Sequence, residues 1–241
     1  MRPELEIRLY RTWVEIFRGV VGPTSGSLRA FGCEHRDGWF TLVDVLCEVL
    51  TKRAESLGRN PPEAVQIKEK FGGLRFYVRG TGEPYSDGAI QCAGRLSFRI
   101  CEISGGPGRL CRKGGRVATL SPSIAAANQY EMIPDDVTRL PPLSIEEAAS
   151  SLKTRWPRLL RCQPQIAGGW LDIADVTLGL ISSRTRIEEE REAYVEELRE
   201  KAGKPIIRVA TDSPENCGVI AMALAMARRI DPETGEPYRE S

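Results

Sequence analysis

The chain has one histidine, His35, set in Cys33-Glu34-His35-Arg36-Asp37. A Cys–His nucleophile pair needs the thiol and ring facing each other within hydrogen-bond reach, which residues two apart in a loop rarely achieve. His35 therefore reads as a polar loop residue ahead of a helix. The acid pairs Glu34/Asp37 and Asp44/Glu48 read as ordinary helix-start and exposed-face carboxylates. The glycine-rich stretch Gly105–Gly115 invites a phosphate-loop reading, but it lacks the GxxxxGK[ST] pattern, and no buried strand leads into it with a helix following. Its cations, Arg109, Arg112, Lys113 and Arg116, fit either non-specific phosphate contacts or a flexible basic linker. The seven cysteines are scattered without any CxxC, and Cys92, Cys101 and Cys111 are too evenly spread for tetrahedral zinc. No catalytic constellation emerges, so no enzyme activity, cofactor or metal is expected. An enzyme of unfamiliar type, with a cysteine nucleophile, remains the alternative.

The most structured signal is VQIKEKFGGLRFYV, residues 65–78. Val65, Ile67, Phe71, Leu74, Phe76 and Val78 share one parity about Gly72-Gly73, which predicts a β-hairpin with those residues on its buried face. The glycines supply the positive φ of a tight turn. Lys68, Lys70, Arg75, Tyr77 and Arg79 then form a basic and aromatic outer face. It serves as a partner surface or as a solvated face that keeps the sheet soluble.

Helices flank this hairpin. One is expected over Glu4–Arg18, with Leu9, Trp13, Ile16 and Phe17 inward, and a second follows Asp37 through GWFTLVDVLCEVLTKRAESLG. A third runs from Ser86 to about Cys101. Residues 1–104 thus read as one α+β unit, helix-helix-hairpin-helix, and 105–142 as a Gly/Pro-rich basic linker with one short strand. Residues 143–241 read as a second, diverged α+β unit. It opens with a helix at Ser144 that carries Glu146 and Glu147 in its first turn, and Ser213-Pro214-Glu215 starts its last helix.

The chain also echoes itself. Gly169-Trp170-Leu171-Asp172-Ile173-Ala174-Asp175-Val176 follows Gly38-Trp39-Phe40-Thr41-Leu42-Val43-Asp44-Val45, and one offset also aligns Arg53 with Arg184, Gly72 with Gly203 and Val78 with Val209. With one residue deleted, Ile90 aligns with Ile220 and Pro107 with Pro237. This reads as a diverged internal duplication, two like domains about a pseudo-twofold axis. The hairpin counterpart, YVEELREKAGKPIIRVATD, loses its alternation before the turn. EEEREAYVEELREKAG favours helix, so a long helix and a single strand at residues 205–210 are expected there.

Lys plus Arg and Asp plus Glu nearly cancel, at 34 against 33, so no global field draws the chain to nucleic acid or membrane. The longest apolar run, VIAMALAMA at residues 219–227, is too short to span a bilayer, and MRPELEIRLYRTW has no signal-peptide core. An odd number of scattered cysteines suits a reducing cytoplasm.

The KEKFGGLRFYV string, the preceding DGWF, Ile100-Cys101-Glu102, Gly106-Pro107-Gly108-Arg109-Leu110 and Thr119-Leu120 together resemble an uncharacterised family of small bacterial and phage or prophage proteins. The likeness covers residues 32–122. In that family the resemblance implies a small cysteine knuckle. Here Cys101 remains, but Ser104 and Ser121 stand at the other cysteine positions, and Asp231 and Thr234 replace them in the second copy. The implied metal site is degraded. The phage-type likeness suggests a mobile-element protein that binds and blocks a host defence complex, as an anti-CRISPR inhibitor does. The acidic run Glu188–Glu190 with Glu192, Glu196 and Glu197 would face a basic groove on that host protein partner. The alternative is a nucleic-acid-binding module using Lys68, Lys70, Arg75, Tyr77, Arg79, Arg109, Arg112, Lys113 and Arg116.

Overall fold

The computed structural model describes residues 1–21, 32–80, 82–134, 140–185, 193–211 and 213–238. The chain is mixed α+β. Its first half runs α1 (Pro3–Thr12), a short α2 (Arg18–Val21), β1 (Cys33–Glu34) and a 3-10 turn at Asp37–Trp39 that feeds α3 (Phe40–Ser56). The hairpin β2 (Glu63–Lys70) and β3 (Gly73–Arg79) follows, then α4 (Pro84–Leu96) and a 3-10 turn at Ser97–Arg99. Next come β4 (Arg109–Lys113), β5 (Arg116–Leu120), α5 (Pro122–Ala127) and β6 (Glu131–Met132). The second half runs α6 (Ile145–Arg155), a 3-10 turn at Gly168–Trp170, α7 (Leu171–Thr185), the hairpin β7 (Tyr194–Lys201) and β8 (Lys204–Ala210), and α8 (Pro214–Ala227).

Local chemistry sets the helix starts. The Glu83 carboxylate accepts the Ser86 amide at 2.8 Å, with Pro84 opening α4. Ser144 and Glu147 form a reciprocal capping box on α6, and Ser213 caps α8 just before Pro214. The helices pack into one continuous core. Trp39, Leu42, Leu46 and Leu50 of the first half are buried in the same cluster as Leu152, Ile166, Leu171 and Met222 of the second.

Among the described residues the strands form three sheets, β1-β2-β3, β5-β4-β6 and β7-β8. The two long hairpins share a bulge, between Ala64 and Gln66 in β2 and between Val195 and Glu197 in β7. Other contacts recur. Trp13 Nε1 donates to Asp44 Oδ1 and Trp156 Nε1 to Asp175 Oδ1, both at 2.8 Å. The Ala64 amide donates to the Ile16 carbonyl and the Val195 amide to that of Leu159, again both at 2.8 Å. Ile100 bridges to Pro107 as Ile230 does to Pro237.

Five expectations need correction. Phe71 is not on the buried face: it occupies the turn at φ 54° and is 69 % exposed. The bulge also turns Ala64 rather than Val65 inward. Residues 105–142 are not a linker with one strand. Strands β4, β5 and β6 with α5 enclose a small core of Cys101, Cys111, Ala118, Leu120 and Ala125. The helix expected across YVEELREKAG is the strand β7, which β8 pairs along its length. The first helix stops at Thr12, where Trp13 leaves helical geometry and its amide bonds to the Leu9 carbonyl at 2.9 Å. The acidic residues 188–190 and 192 lie outside the described residues. Glu197 of that run pairs with Arg199 and Arg208 on the hairpin surface.

Among the described residues no helix is long and apolar enough to cross a membrane.

Candidate functional site

The tip of the first hairpin leans on the β5-β4-β6 sheet. The Gly72 carbonyl accepts a buried hydrogen bond from Thr119 Oγ1 at 2.7 Å. A Cβ on Gly72 would run into the Leu110 side chain, and its φ of 75° is itself a glycine conformation. This docking leaves a cleft of about 750 Å³ between hairpin tip, β1 and β5. Glu34, His35 and Arg36 enter it from the end of β1, Glu69, Lys70 and Phe71 from the hairpin, and Glu102 from the turn after α4. Arg116, Val117 and Ala118 of β5 line it too, with Tyr130 beyond α5.

His35 is 5 % exposed and its Nδ1 lies 2.8 Å from the Arg36 carbonyl, so Nδ1 carries the proton and Nε2 is the acceptor. Nε2 is buried and has no hydrogen-bond partner among the described residues. Burial pushes the His35 pKa down to about 4, against the Arg36 carbonyl bond that favours the charged ring. Glu102 is also buried, and desolvation lifts its pKa above the ordinary carboxylate value despite the Arg36 Nε contact at 3.1 Å. Glu69 serves the turn itself, accepting the Gly72 amide at 2.6 Å.

The second half provides an internal reference for these residues. Glu34 pairs in parallel with Lys68 as Gln165 does with Arg199. The Gly38 amide donates to the Glu102 carbonyl as the Gly169 amide does to that of Pro232. By that register His35, Arg36, Phe71 and Glu102 correspond to Ile166, Ala167, Ala202 and Pro232, all without a charged or polar side chain. Glu69 corresponds to Glu200, which accepts the Gly203 amide at 3.3 Å. The glutamate belongs to the turn in both halves. The other four are particular to the cleft.

The residues read from sequence as a basic surface divide into groups. Lys68, Lys70, Arg75, Tyr77 and Arg79 do share the outer face of β2 and β3, with Lys68 Nζ 5.7 Å from the Tyr77 ring centroid. Arg79 is tied to Glu63 at 3.4 Å. Lys70 and Arg116 both line the cleft. Arg112 and Lys113 are exposed, but Arg112 approaches Glu131 at 4.0 Å and Lys113 Nζ donates to the Asn128 carbonyl at 2.9 Å. Arg109 is no surface residue. It is 5 % exposed and holds Asp172 through two hydrogen bonds of 2.8 and 2.9 Å.

Cys101 opens a tight turn. The Gly105 amide donates to the Cys101 carbonyl at 2.9 Å, and the Ser104 amide lies 3.5 Å from Cys101 Sγ. In the second half Asp231 Oδ1 takes the place of that sulfur, accepting from the Thr234 amide at 2.8 Å. The described residues contain no group of three or more His, Cys, Asp or Glu placed to hold a metal ion.

His35, Glu102 and Phe71 were missed as cleft residues because β5, the opposite wall, lay in a stretch read as linker. A signal existed. The offset that aligns Gly38 with Gly169 also sets His35 against Ile166, a polar residue where the fold accepts an apolar one. No protein-family model, curated protein or solved structure matches this chain.

Proposed function

We propose that the protein is a non-enzymatic binding protein that docks a protein partner across the hairpin-tip cleft of its first half. Phe71 carries the reading. A bulky side chain in the left-handed region costs about 1–2 kcal/mol, and an aromatic ring 69 % exposed adds nothing to the core. Ala202 occupies the matching turn position at φ 51°, so the fold itself does not call for an aromatic there. Aromatic side chains, Phe among them, are enriched at protein–protein interfaces relative to the rest of the surface. The resemblance to phage and prophage proteins gives this reading its specific form, a blocker of a host defence complex. The seven free thiols suit action in a reducing cytoplasm.

The test is a matched affinity capture from host lysate, with nuclease and at moderate salt, using the wild-type chain and Phe71→Ala. A stoichiometric partner that is retained by wild type and falls at least tenfold with Phe71→Ala is expected. Equal capture by both would overturn the reading. The file of Lys68, Lys70, Arg75 and Tyr77 on the outer hairpin face favours nucleic-acid binding as a second reading. Recovery of nucleic acid that vanishes with salt would support it.

We also propose that the two halves descend from one α+β unit by internal duplication. The shared bulges, the paired Trp–Asp bonds and the matching Ile–Pro bridges support this, as does the meeting of α4 and α8. There Gly88 faces the Glu215 carbonyl and Gly218 faces the Tyr85 carbonyl, equivalent contacts in opposite directions. Such reciprocity is what a pseudo-twofold axis produces.

A further inference from the structure

We infer that the cleft takes an extended segment of the partner protein, bearing acidic and apolar side chains, as an added strand along β5. This rests on the docking reading above and adds the chemistry of what docks. β5 is an outer strand in the order β5-β4-β6. The Thr119 carbonyl accepts the Glu102 amide at 2.9 Å, so Thr119 points its backbone polar groups away from β4. Its cross-strand partner Leu110 likewise points outward, its carbonyl accepting the Ile133 amide at 2.8 Å. In an antiparallel ladder this orientation alternates with period two, so Val117 also turns its N–H and C=O away from β4. Neither group has a partner among the described residues, and Val117 lines the cleft.

An outward N–H and C=O on one residue is the unit that recognises another extended backbone. The side chains beside it specify the rest. Phe71 and Tyr130 offer aromatic surface to an apolar residue. Lys70 and Arg116 have no carboxylate partner among the described residues, whereas Glu69 and Glu102 are held by the Gly72 amide and by Arg36. The cations still open to an ion pair therefore lie on the walls nearest Val117, which calls for an acidic side chain in the incoming strand. Exposed edges are usually guarded by charge or cover. Among the described residues that cover stops at Thr119.

A displayed random dodecapeptide library would be selected against the full chain. The expected enrichment is for sequences combining acidic and apolar residues. Their affinity should fall at least tenfold with Val117→Pro and stay within twofold with Val117→Ala. Proline removes only an N–H that β4 does not use, so the strand tolerates it. The double variant Lys70→Glu/Arg116→Glu should also lose at least tenfold. If Val117→Pro does not fold, amide exchange on the wild-type complex decides the matter: the Val117 N–H should slow at least tenfold when peptide binds. No enrichment, or binding indifferent to Val117→Pro with an unprotected Val117 amide, would overturn strand addition. If those peptides still depend on Phe71, cleft docking survives alone. Indifference to Phe71→Ala as well would sink both.

Discussion

Phe71 and Gly72 form a two-residue loop with φ of 54° and 75°, the primed turn that matches strand twist and prefers Asn-Gly. Phe71→Asn restores that preference. It should raise stability by about 1 kcal/mol in urea denaturation while abolishing partner capture. Stability and function would then part at one side chain, and a variant that is stabilised yet binds normally would remove Phe71 from the interface. His35 makes a different prediction. Its pKa is near 4 in the folded chain and about 6.5 when unfolded. Between those values the unfolded chain takes up a proton that the folded chain refuses. Stability is therefore full above pH 6.5 and declines as pH falls towards 4, by about 3 kcal/mol from this group. Glu102 acts in the opposite sense, since its raised pKa lets the folded state hold a proton that the unfolded chain has released. Comparing wild type with His35→Ile cancels that contribution. Ile166 shows that the fold accepts the replacement, and His35→Ile should flatten the difference in stability between pH 7 and pH 5. An unchanged pH slope would mean that His35 is not the refusing group.

At the scale of elements, glycine has opposite effects in one helix. Gly94 has only the Leu74 carbonyl at 3.5 Å from a built Cβ, so Gly94→Ala should gain about 0.5–1 kcal/mol of helix propensity. At Gly88 and Gly218 the same methyl would overlap the backbone of the opposing helix. Each Ala there should cost about 1–3 kcal/mol or more by forcing α4 and α8 apart. If the halves are equivalent, the two costs agree within about 1 kcal/mol in thermal or urea unfolding. Widely unequal costs would argue against a symmetric crossing. The α4 helix was legible from its apolar spacing, although Glu83 rather than Ser86 caps it and it ends at Leu96, α8 from its Ser213-Pro214-Glu215 start, and the first hairpin from its alternation. Strand β7 was hidden by its bulge: Val195 and Leu198 both turn inward but are three apart, a helical spacing set among Glu, Arg and Lys. In β2 the buried pair Ala64 and Ile67 has the same spacing, yet neighbouring β-branched residues outweighed it. The β4–β6 region was obscured for another reason. Its strands are short and, with α5 and the turn at Cys101, bury mostly small residues, Ala118 and Ala125 with two cysteines, so hydrophobic patterning barely registers. With β5 unread, a cleft between β5 and the hairpin had no second wall.

For the whole molecule, the question is whether two like halves unfold separately. Ion pairs cross between them in both directions. Arg109 on β4 holds Asp172 at the start of α7, and Arg229 after α8 reaches Glu48 at 2.9 Å and Asp44 at 3.5 Å on α3. The Arg109–Asp172 pair is the most enclosed of these, with side chains 7 % and 11 % exposed. Removing one partner leaves a buried charge uncompensated, which typically costs about 3–5 kcal/mol, whereas replacing both with apolar residues is often near neutral. Asp172→Ala should therefore destabilise by about that amount, and Arg109→Met/Asp172→Leu should recover only part of it, because Arg99, 3.9 Å from Asp172 and itself 13 % exposed, still loses this carboxylate. The sharper observation is where the loss registers. Because the core is continuous through α3, α4, α7 and α8, hydrogen exchange of the slowest amides in α3 and in α7 should accelerate by the same factor in Asp172→Ala. Acceleration confined to α7 would mean that the second half opens by itself. The cleft of the first half could then persist while the other half comes apart, and the first half would be a binding module that merely carries the second. Equal acceleration would mean instead that the second half, lacking the cleft residues, still supports the first by completing its core.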